Sequence, residues 1–315
     1  MDLAEEALQG SQLAGARLIR LLEERDPVGI EGLKVLYPHS GSAYLVGVTG
    51  PPGVGKSTLV DRIVAEFRRR QKRVGVIAID PSSPFSGGAI LGDRIRMQRH
   101  ATDEGVFIRS MATRGQLGGL SRSTYETSVV LDAMGYDVIV VETVGVGQDE
   151  LDVVDLAHTT AVVSVPGMGD GIQAMKAGIL EIGDLFVLNK ADFPGADEVE
   201  RQLAMMLQLR KFGEKDWQPR VLRTIAVEEE GIVELVDALL DHRSYLGKSG
   251  KLAPKSEKRD FHFFLELLRA GASEKILKAA ATSPGYRAVI EGLKARRIDP
   301  YSAAEALIER LKCEI

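Results

Sequence analysis

Nine consecutive residues, Gly50-Pro-Pro-Gly-Val-Gly-Lys-Ser-Thr58, combine three glycines with a lysine and two hydroxyls. That mixture suits a polyphosphate. Glycines let backbone N–H groups converge on phosphate oxygens with no Cβ in the way. Helical character in residues 59–70 places a helix N-terminus at the same point, with its unsatisfied N–H groups and positive partial charge. Lys56 is expected to reach the outer phosphates, and the Ser57 hydroxyl to ligate magnesium. All nine positions (Gly50, Pro51, Pro52, Gly53, Val54, Gly55, Lys56, Ser57, Thr58) are candidates for nucleotide contact. The alternative, a glycine-rich turn with no ligand, fits poorly with a strand before the loop and a helix after it.

Asn189-Lys-Ala-Asp192 supplies a second chemistry. A carboxylate at Asp192 accepts two parallel hydrogen bonds from guanine N1–H and its exocyclic amino group, a donor pair that adenine lacks. Asn189 can bridge the base and the phosphate loop, and the Lys190 stem can cover one face of the ring. Thr224-Ile225-Ala226-Val227 follows a later strand, and the backbone N–H groups of Ala226 and Val227 are candidates for guanine O6. The expected bound species is therefore GTP or GDP with Mg2+. Asp80, Asp93 and Glu142 offer oxygen ligands near strand ends, where ligands of open α/β sheets sit. Asp93 fits a helix cap nearly as well. Gln148 fits either an orienter of the attacking water or a surface residue. Lys56 with the metal should carry most of the charge stabilisation, and hydrolysis should be slow unless a partner orders the switches.

Such residues need a sheet to position them. Apolar runs rich in Val and Ile predict strands over 44–49, 74–80, 106–109, 137–142, 161–165, 185–189 and 220–224, with amphipathic stretches between most of them. That alternation predicts an α/β P-loop NTPase fold, a mostly parallel sheet flanked by helices with helical N- and C-terminal extensions. Three segments are expected: a helical extension over 1–41 interrupted by Pro27, a nucleotide domain over 42–246, and a helical arm over 247–315. The arm follows a Lys/Gly/Ser linker, and its apolar residues recur at helical spacing through Phe261, Phe264, Leu265 and Leu268.

Bulk properties exclude little but agree. The chain has 315 residues, 44% hydrophobic and 27% charged, which is ordinary globular composition. A net charge of −5 gives no reason to expect nucleic-acid binding. One cysteine, Cys313, cannot make an internal disulfide, which suits a reducing compartment. The N-terminus reads neither as a secretory signal nor as a transit peptide, and no apolar stretch is long enough to span a bilayer, so a cytoplasmic protein is expected. Arg68-Arg69-Arg70 with Lys72-Arg73 reads as a solvated helix end, and Trp217 as core or surface filler.

Taken together, the sequence closely resembles the MeaB/MMAA/ArgK family over nearly its whole length. The marks are the phosphate loop, Ile79-Asp-Pro-Ser-Ser-Pro84, Ile90-Leu-Gly-Asp-Arg-Ile-Arg-Met97, Arg114-Gly-Gln-Leu-Gly-Gly119, Glu142-Thr-Val-Gly-Val-Gly-Gln148, Pro166-Gly-Met-Gly-Asp170 and Asn189-Lys-Ala-Asp192. The resemblance implies a GTPase chaperone of an adenosylcobalamin-dependent acyl-CoA mutase, typically methylmalonyl-CoA mutase. It implies Ser57, Asp80, Asp93 and Glu142 around magnesium. It also implies a third switch over 167–176 in which Asp170, Gln173 and Lys176 respond to nucleotide and partner, and a homodimer joined through the C-terminal arm. Ile225 departs from the family's usual serine, which a backbone contact tolerates. Two other classes compete. A metallochaperone for nickel or cobalt enzymes would need clustered soft or imidazole ligands, and the five histidines are scattered. A small-molecule kinase would have no need of the guanine-reading motif.

Overall fold

The computed structural model describes residues 2–80, 97–112, 119–143, 153, 155–167, 183–210, 212–213, 215–282 and 284–311. Asp93, Gln148, Asp170, Gln173 and Lys176 lie outside these residues, as do the Asp80 side chain and most of Arg114–Gly119.

Among the described residues, seven strands form one parallel sheet: β1 (Tyr44–Thr49), β2 (Val74–Asp80), β3 (Val106–Ala112), β4 (Val138–Glu142), β5 (Thr159–Ser164), β6 (Leu185–Asn189) and β7 (Arg220–Thr224). Their spatial order is β3-β2-β4-β1-β5-β6-β7. β1 lies at the centre, with Val46 beside Val140 of β4 and Thr159 of β5. Every residue of β1, β4, β5 and β6 is buried, which is why β1, β4 and β6 read as nearly continuous apolar runs rather than alternating ones. β3 extends beyond its apolar run because its pairing with β2 continues to Asp80↔Ala112. β5 begins two residues earlier than its apolar run, at threonines that pair with Val46 and Gly47.

The described helices are α1 (Leu3–Leu8), α2 (Gln12–Glu23), α3 (Pro27–Leu36), α4 (Lys56–Arg69), α5 (Gly119–Ala133), α6 (Ala196–Gln208), α7 (Ile232–Lys248), α8 (Leu252–Thr282), α9 (Pro284–Lys294) and α10 (Pro300–Leu311). Side chains of Asp2, Ser11 and Asp26 cap the first three. Pro27 opens α3, where its missing N–H costs nothing, so it begins a helix rather than interrupting one. Leu59, Val60, Ile63, Val64 and Phe67 of α4 join Leu235, Val236 and Leu239 of α7 in one core with Val46, Val48, Val140 and Val163. α6 covers Val162, Phe186 and Leu188 on the other face, and α5 lies against β2, β3 and β4.

The chain divides into two compact units, residues 1–259 and 260–315. The first thus includes the opening turns of α8, and a buried polar network at the amino ends of the strands shows why. His158 Nδ1 accepts from Leu45 N–H at 3.1 Å, and its Nε2 lies 3.1 Å from Ser256 Oγ of α8. Lys255 Nζ donates to His158 O at 2.9 Å. Thr159 Oγ1 is bonded by Tyr44 Oη and lies 2.7 Å from His242 Nδ1, while Tyr44 Oη also donates to Leu239 O at 2.7 Å. Asp184 accepts from Thr160 N–H at 2.9 Å, and Trp217 Nε1 donates to Asp184 O at 2.7 Å. Burial, reinforced by nearby cations, pushes His158 down to about 3. Burial also lowers His242 to about 4, against the pull of Asp184. Both rings are therefore neutral at ordinary pH.

In the second unit α9 and α10 pack around Tyr286, whose hydroxyl donates to Leu307 O at 3.4 Å. Asp299 caps α10 through Tyr301 N–H and Ser302 N–H. No helix among the described residues is long and apolar enough to cross a membrane.

Candidate functional site

The carboxyl ends of β1, β4 and β6 converge on the start of α4. Gly50 leaves β1 with φ 141°, and a Cβ there would fall 2.2 Å from Val163 O, so both conformation and space demand glycine. Gly55 precedes α4 with φ 89°, and a Cβ there would meet Asn189 Nδ2 at 2.7 Å. Pro52 and Gly53 are exposed at the crest of the loop, while Val54 is buried beneath it. Lys56 opens α4, and its ammonium donates to Gly50 O at 2.7 Å and Pro51 O at 2.9 Å. The lysine is thereby folded back over the loop rather than extended into solvent.

Ser57 follows, and its Oγ donates to Glu142 Oε1 at 2.6 Å. Both residues are buried. A hydroxyl and a carboxylate meeting at a helix N-terminus are hard oxygen donors of the kind magnesium prefers. The ends of β1 and β4 are tied beside them: Thr143 N–H donates to Val48 O at 3.1 Å, and Thr143 Oγ1 to Thr49 Oγ1 at 3.0 Å. This threonine pair fixes where Glu142 leaves the sheet. Asp80 ends β2, two strands from β1.

Asn189, at the end of β6, is the junction of the site. Its Nδ2 donates to Val54 O at 2.8 Å, and its Oδ1 accepts from Thr224 Oγ1 at 3.1 Å and Ala226 N–H at 3.2 Å. One buried amide thus binds the phosphate loop to the loop after β7. Lys190 has φ 56°, and its Nζ donates to Gly53 O at 3.0 Å, so its stem lies across the gap between the two loops. Asp192 is exposed on the turn that follows. Ala226 is buried with its N–H committed to Asn189, whereas Val227 is 70% exposed.

The structure also reveals groups that no motif announced. Arg62 of α4 donates through Nε to Ala226 O at 3.0 Å and through Nη1 to Glu229 at 2.7 Å. The partners are 167 residues apart, so no local spacing could have exposed them. Asp61, one residue earlier, is 6% exposed and accepts from Arg99 Nε at 2.8 Å, with His100 Nε2 at 3.1 Å. Burial alone would raise this carboxyl, but the hydrogen bonds from His100 and Arg99 hold it below the usual range. The basic run at the end of α4 is likewise paired rather than simply solvated. Arg68 grips Asp103, Arg69 and Arg70 reach Glu66, Lys72 reaches Asp137, and Arg73 donates to Met134 O.

Comparison with known proteins agrees with this architecture. A family model described as methylmalonyl Co-A mutase-associated GTPase MeaB matches residues 15–282. A Pyrococcus abyssi protein named as a GTPase is 48% identical over 312 residues, covering 98% of this chain and 96% of that protein. GTPase ArgK of Escherichia coli is 34% identical over 319 residues, covering 97% of this chain and 95% of that one. The mitochondrial methylmalonic aciduria type A homolog of Mus musculus is 34% identical over 276 residues, covering 85% of this chain and 66% of that protein. Among solved structures, one described as LAO/AO transport system kinase has a TM-score of 0.72 at 28% identity, covering 98% of this chain and 96% of that chain.

Proposed function

Because the chain belongs to the MeaB family of methylmalonyl Co-A mutase-associated GTPases, we propose that it is a chaperone GTPase that couples GTP to adenosylcobalamin loading and protection of an acyl-CoA mutase, methylmalonyl-CoA mutase first among them. It is a P-loop GTPase that binds guanine nucleotide. The observation that carries the guanine-nucleotide part of this reading is the Asn189 junction, which holds the phosphate loop and the loop after β7 as one piece. The family description supports the mutase as partner and does not favour the nickel or cobalt alternative.

In this reading Lys56 and the N–H groups of Gly53–Thr58 hold the β- and γ-phosphates. Ser57 and Glu142 are suited to hold Mg2+ directly or through its waters, with Asp80 and Asp93 completing the set. When bound, the metal neutralises charge that develops on the transferred phosphoryl group. Asp192 reads the guanine N1–H and amino group. With Ala226 N–H taken by Asn189, contact with O6 falls to Val227. Asp170, Gln173 and Lys176 form the partner-responsive switch.

The helical arm is the surface proposed to join two copies of the chain. Phe261, Phe264 and Leu268 are 60%, 53% and 56% exposed, and their spacing puts them on one face of α8. A cytoplasmic location accompanies this reading.

The test is GTP turnover by the purified protein with magnesium, alone and with a methylmalonyl-CoA mutase from the same source, with ATP as control. Slow, GTP-selective turnover that accelerates with the mutase is expected. Turnover indifferent to the mutase would remove the mutase from the proposal, and equal use of ATP would remove the role of Asp192.

A further inference from the structure

The loop after β7 ends in an unusual residue. Glu229 has φ 62° and ψ 15°, a left-handed conformation in which glycine costs least. Gly231, two residues on, is left-handed too, and a Cβ there would fall 2.1 Å from Arg223 O. The loop therefore uses glycine where space forbids a side chain, and at 229 keeps a glutamate in spite of its backbone. Its carboxylate accounts for that choice. Oε1 faces Arg62 Nη1 at 2.7 Å and Arg99 Nη1 at 3.4 Å, and Oε2 takes Arg69 Nη2 at 2.6 Å. Hydrogen bonds from Arg69, together with the charges of Arg62 and Arg69, hold the carboxyl below its usual range.

These arginines are not merely surface counter-ions. Arg62 donates to the loop itself at Ala226 O, and Arg62 and Arg69 stand on α4, whose first residues are Lys56 and Ser57. Arg99 is fixed from the other side by Asp61, at Oδ1 and at the backbone O. Ile225 and Glu230 close the loop with a reciprocal backbone pair. An exposed ion pair is ordinarily weak. Here one carboxylate collects three guanidinium groups, and one of those also grips the backbone beside Val227.

We propose that Glu229 is a positioning residue for guanine: by gathering Arg62, Arg69 and Arg99 it sets the distance between the base-reading loop and the phosphate-binding helix. This rests on the reading that the 225–228 loop faces the base. Its action is on affinity. A loop held at the wrong height weakens GDP and GTP alike, and leaves the chemistry of bound GTP unchanged.

The experiment uses the full chain with magnesium and measures GDP, GTP and ITP affinity, kcat at saturating GTP, and thermal unfolding. Glu229→Gly removes the carboxylate while relieving the left-handed backbone. We expect GDP and GTP to bind about tenfold more weakly, with kcat within about twofold and Tm within about 3 °C. ITP, which shares O6, should weaken in step with GTP. Glu229→Gln should lose less, since it keeps an acceptor, and Arg99→Ala least, since Arg62 and Arg69 remain. Wild-type affinity in Glu229→Gly overturns the proposal, as does a loss of affinity that only follows a fall in Tm. Asp192→Asn is the control for the underlying reading. If it alters the preference for GTP over ATP while Glu229→Gly binds normally, only the role of Glu229 fails. If it leaves the preference intact, the base-facing assignment fails and Glu229 with it.

Discussion

The two edges of the one sheet use polar groups in opposite ways. At the amino edge, Tyr44, His158, Thr159, Asp184, Trp217 and His242 satisfy one another in a buried, neutral-ring network. At the carboxyl edge, Lys56 lies on two carbonyls, Ser57 on Glu142 and Lys190 on Gly53 O. Those partners are groups that phosphate or a cation can replace. Buried hydrogen bonds are common to both edges, so burial does not distinguish structure from function. The distinction is chemical. At the amino edge the rings and hydroxyls bond one another and the backbone, with Lys255 and Asp184 as the charged members, whereas the carboxyl edge sets two ammonium groups and a carboxylate beside a glycine-rich loop at a helix N-terminus.

If that contrast is right, damage at the carboxyl edge should remove turnover and spare stability, and damage at the amino edge should do the reverse. Lys56→Ala should show the largest effect, a fall in kcat of about 100- to 1000-fold with Tm within about 2 °C. Comparable losses of both would sink the contrast at its strongest point. Asp192→Asn should cut the preference for GTP over ATP by about 30-fold or more, read from competition between the two nucleotides. At the amino edge, acid should act through the histidines. The unfolded chain binds a proton near pH 6.5 that folded His158 refuses until about pH 3. Stability therefore rises with pH across that window and is lost as pH falls through it. His158 contributes up to about 1.4 kcal/mol per pH unit. Urea unfolding of His158→Asn at successive pH values should show a correspondingly shallower acid loss. An unchanged slope would mean the ring is not held neutral. The smallest effect is expected for Tyr44→Phe, which loses the bonds to Thr159 and Leu239 and about 1–2 kcal/mol. GTP turnover at pH 7 should not move.

Most of the sheet was legible because its central strands are buried on both faces and β1, β4 and β6 write themselves as apolar runs. The limits lay where polar residues belong to strands. Thr159 and Thr160 begin β5, although only the apolar residues after them signal a strand. The phosphate loop and Asn189 were legible because their spacing is local. His158 and His242 look scattered in sequence, and Trp217 looks like filler, yet the rings of Trp217 and His242 lie 4.7 Å apart at a tilt, Trp217 donates to Asp184 O, His242 meets Thr159, and His158 stacks on Tyr44. Arg62 and Glu229 were invisible for the same reason: their pairing exists only once α4 lies beside the loop after β7. Local motifs report the chemistry of a site. The residues that set its dimensions come from distant parts of the chain.

The hold of α8 on the amino edge has a practical corollary for dissecting the molecule. A fragment stopped at residue 246 would discard Lys255 and Ser256, leaving the buried ring of His158 without its Nε2 partner and Asp184 without its 3.6 Å cation. Such a piece would have every nucleotide-binding motif and would still lack these polar contacts beneath the sheet. A piece ending at Arg259 keeps Lys255 and Ser256 within the first compact unit, and is where an investigator wanting the sheet unit alone should cut.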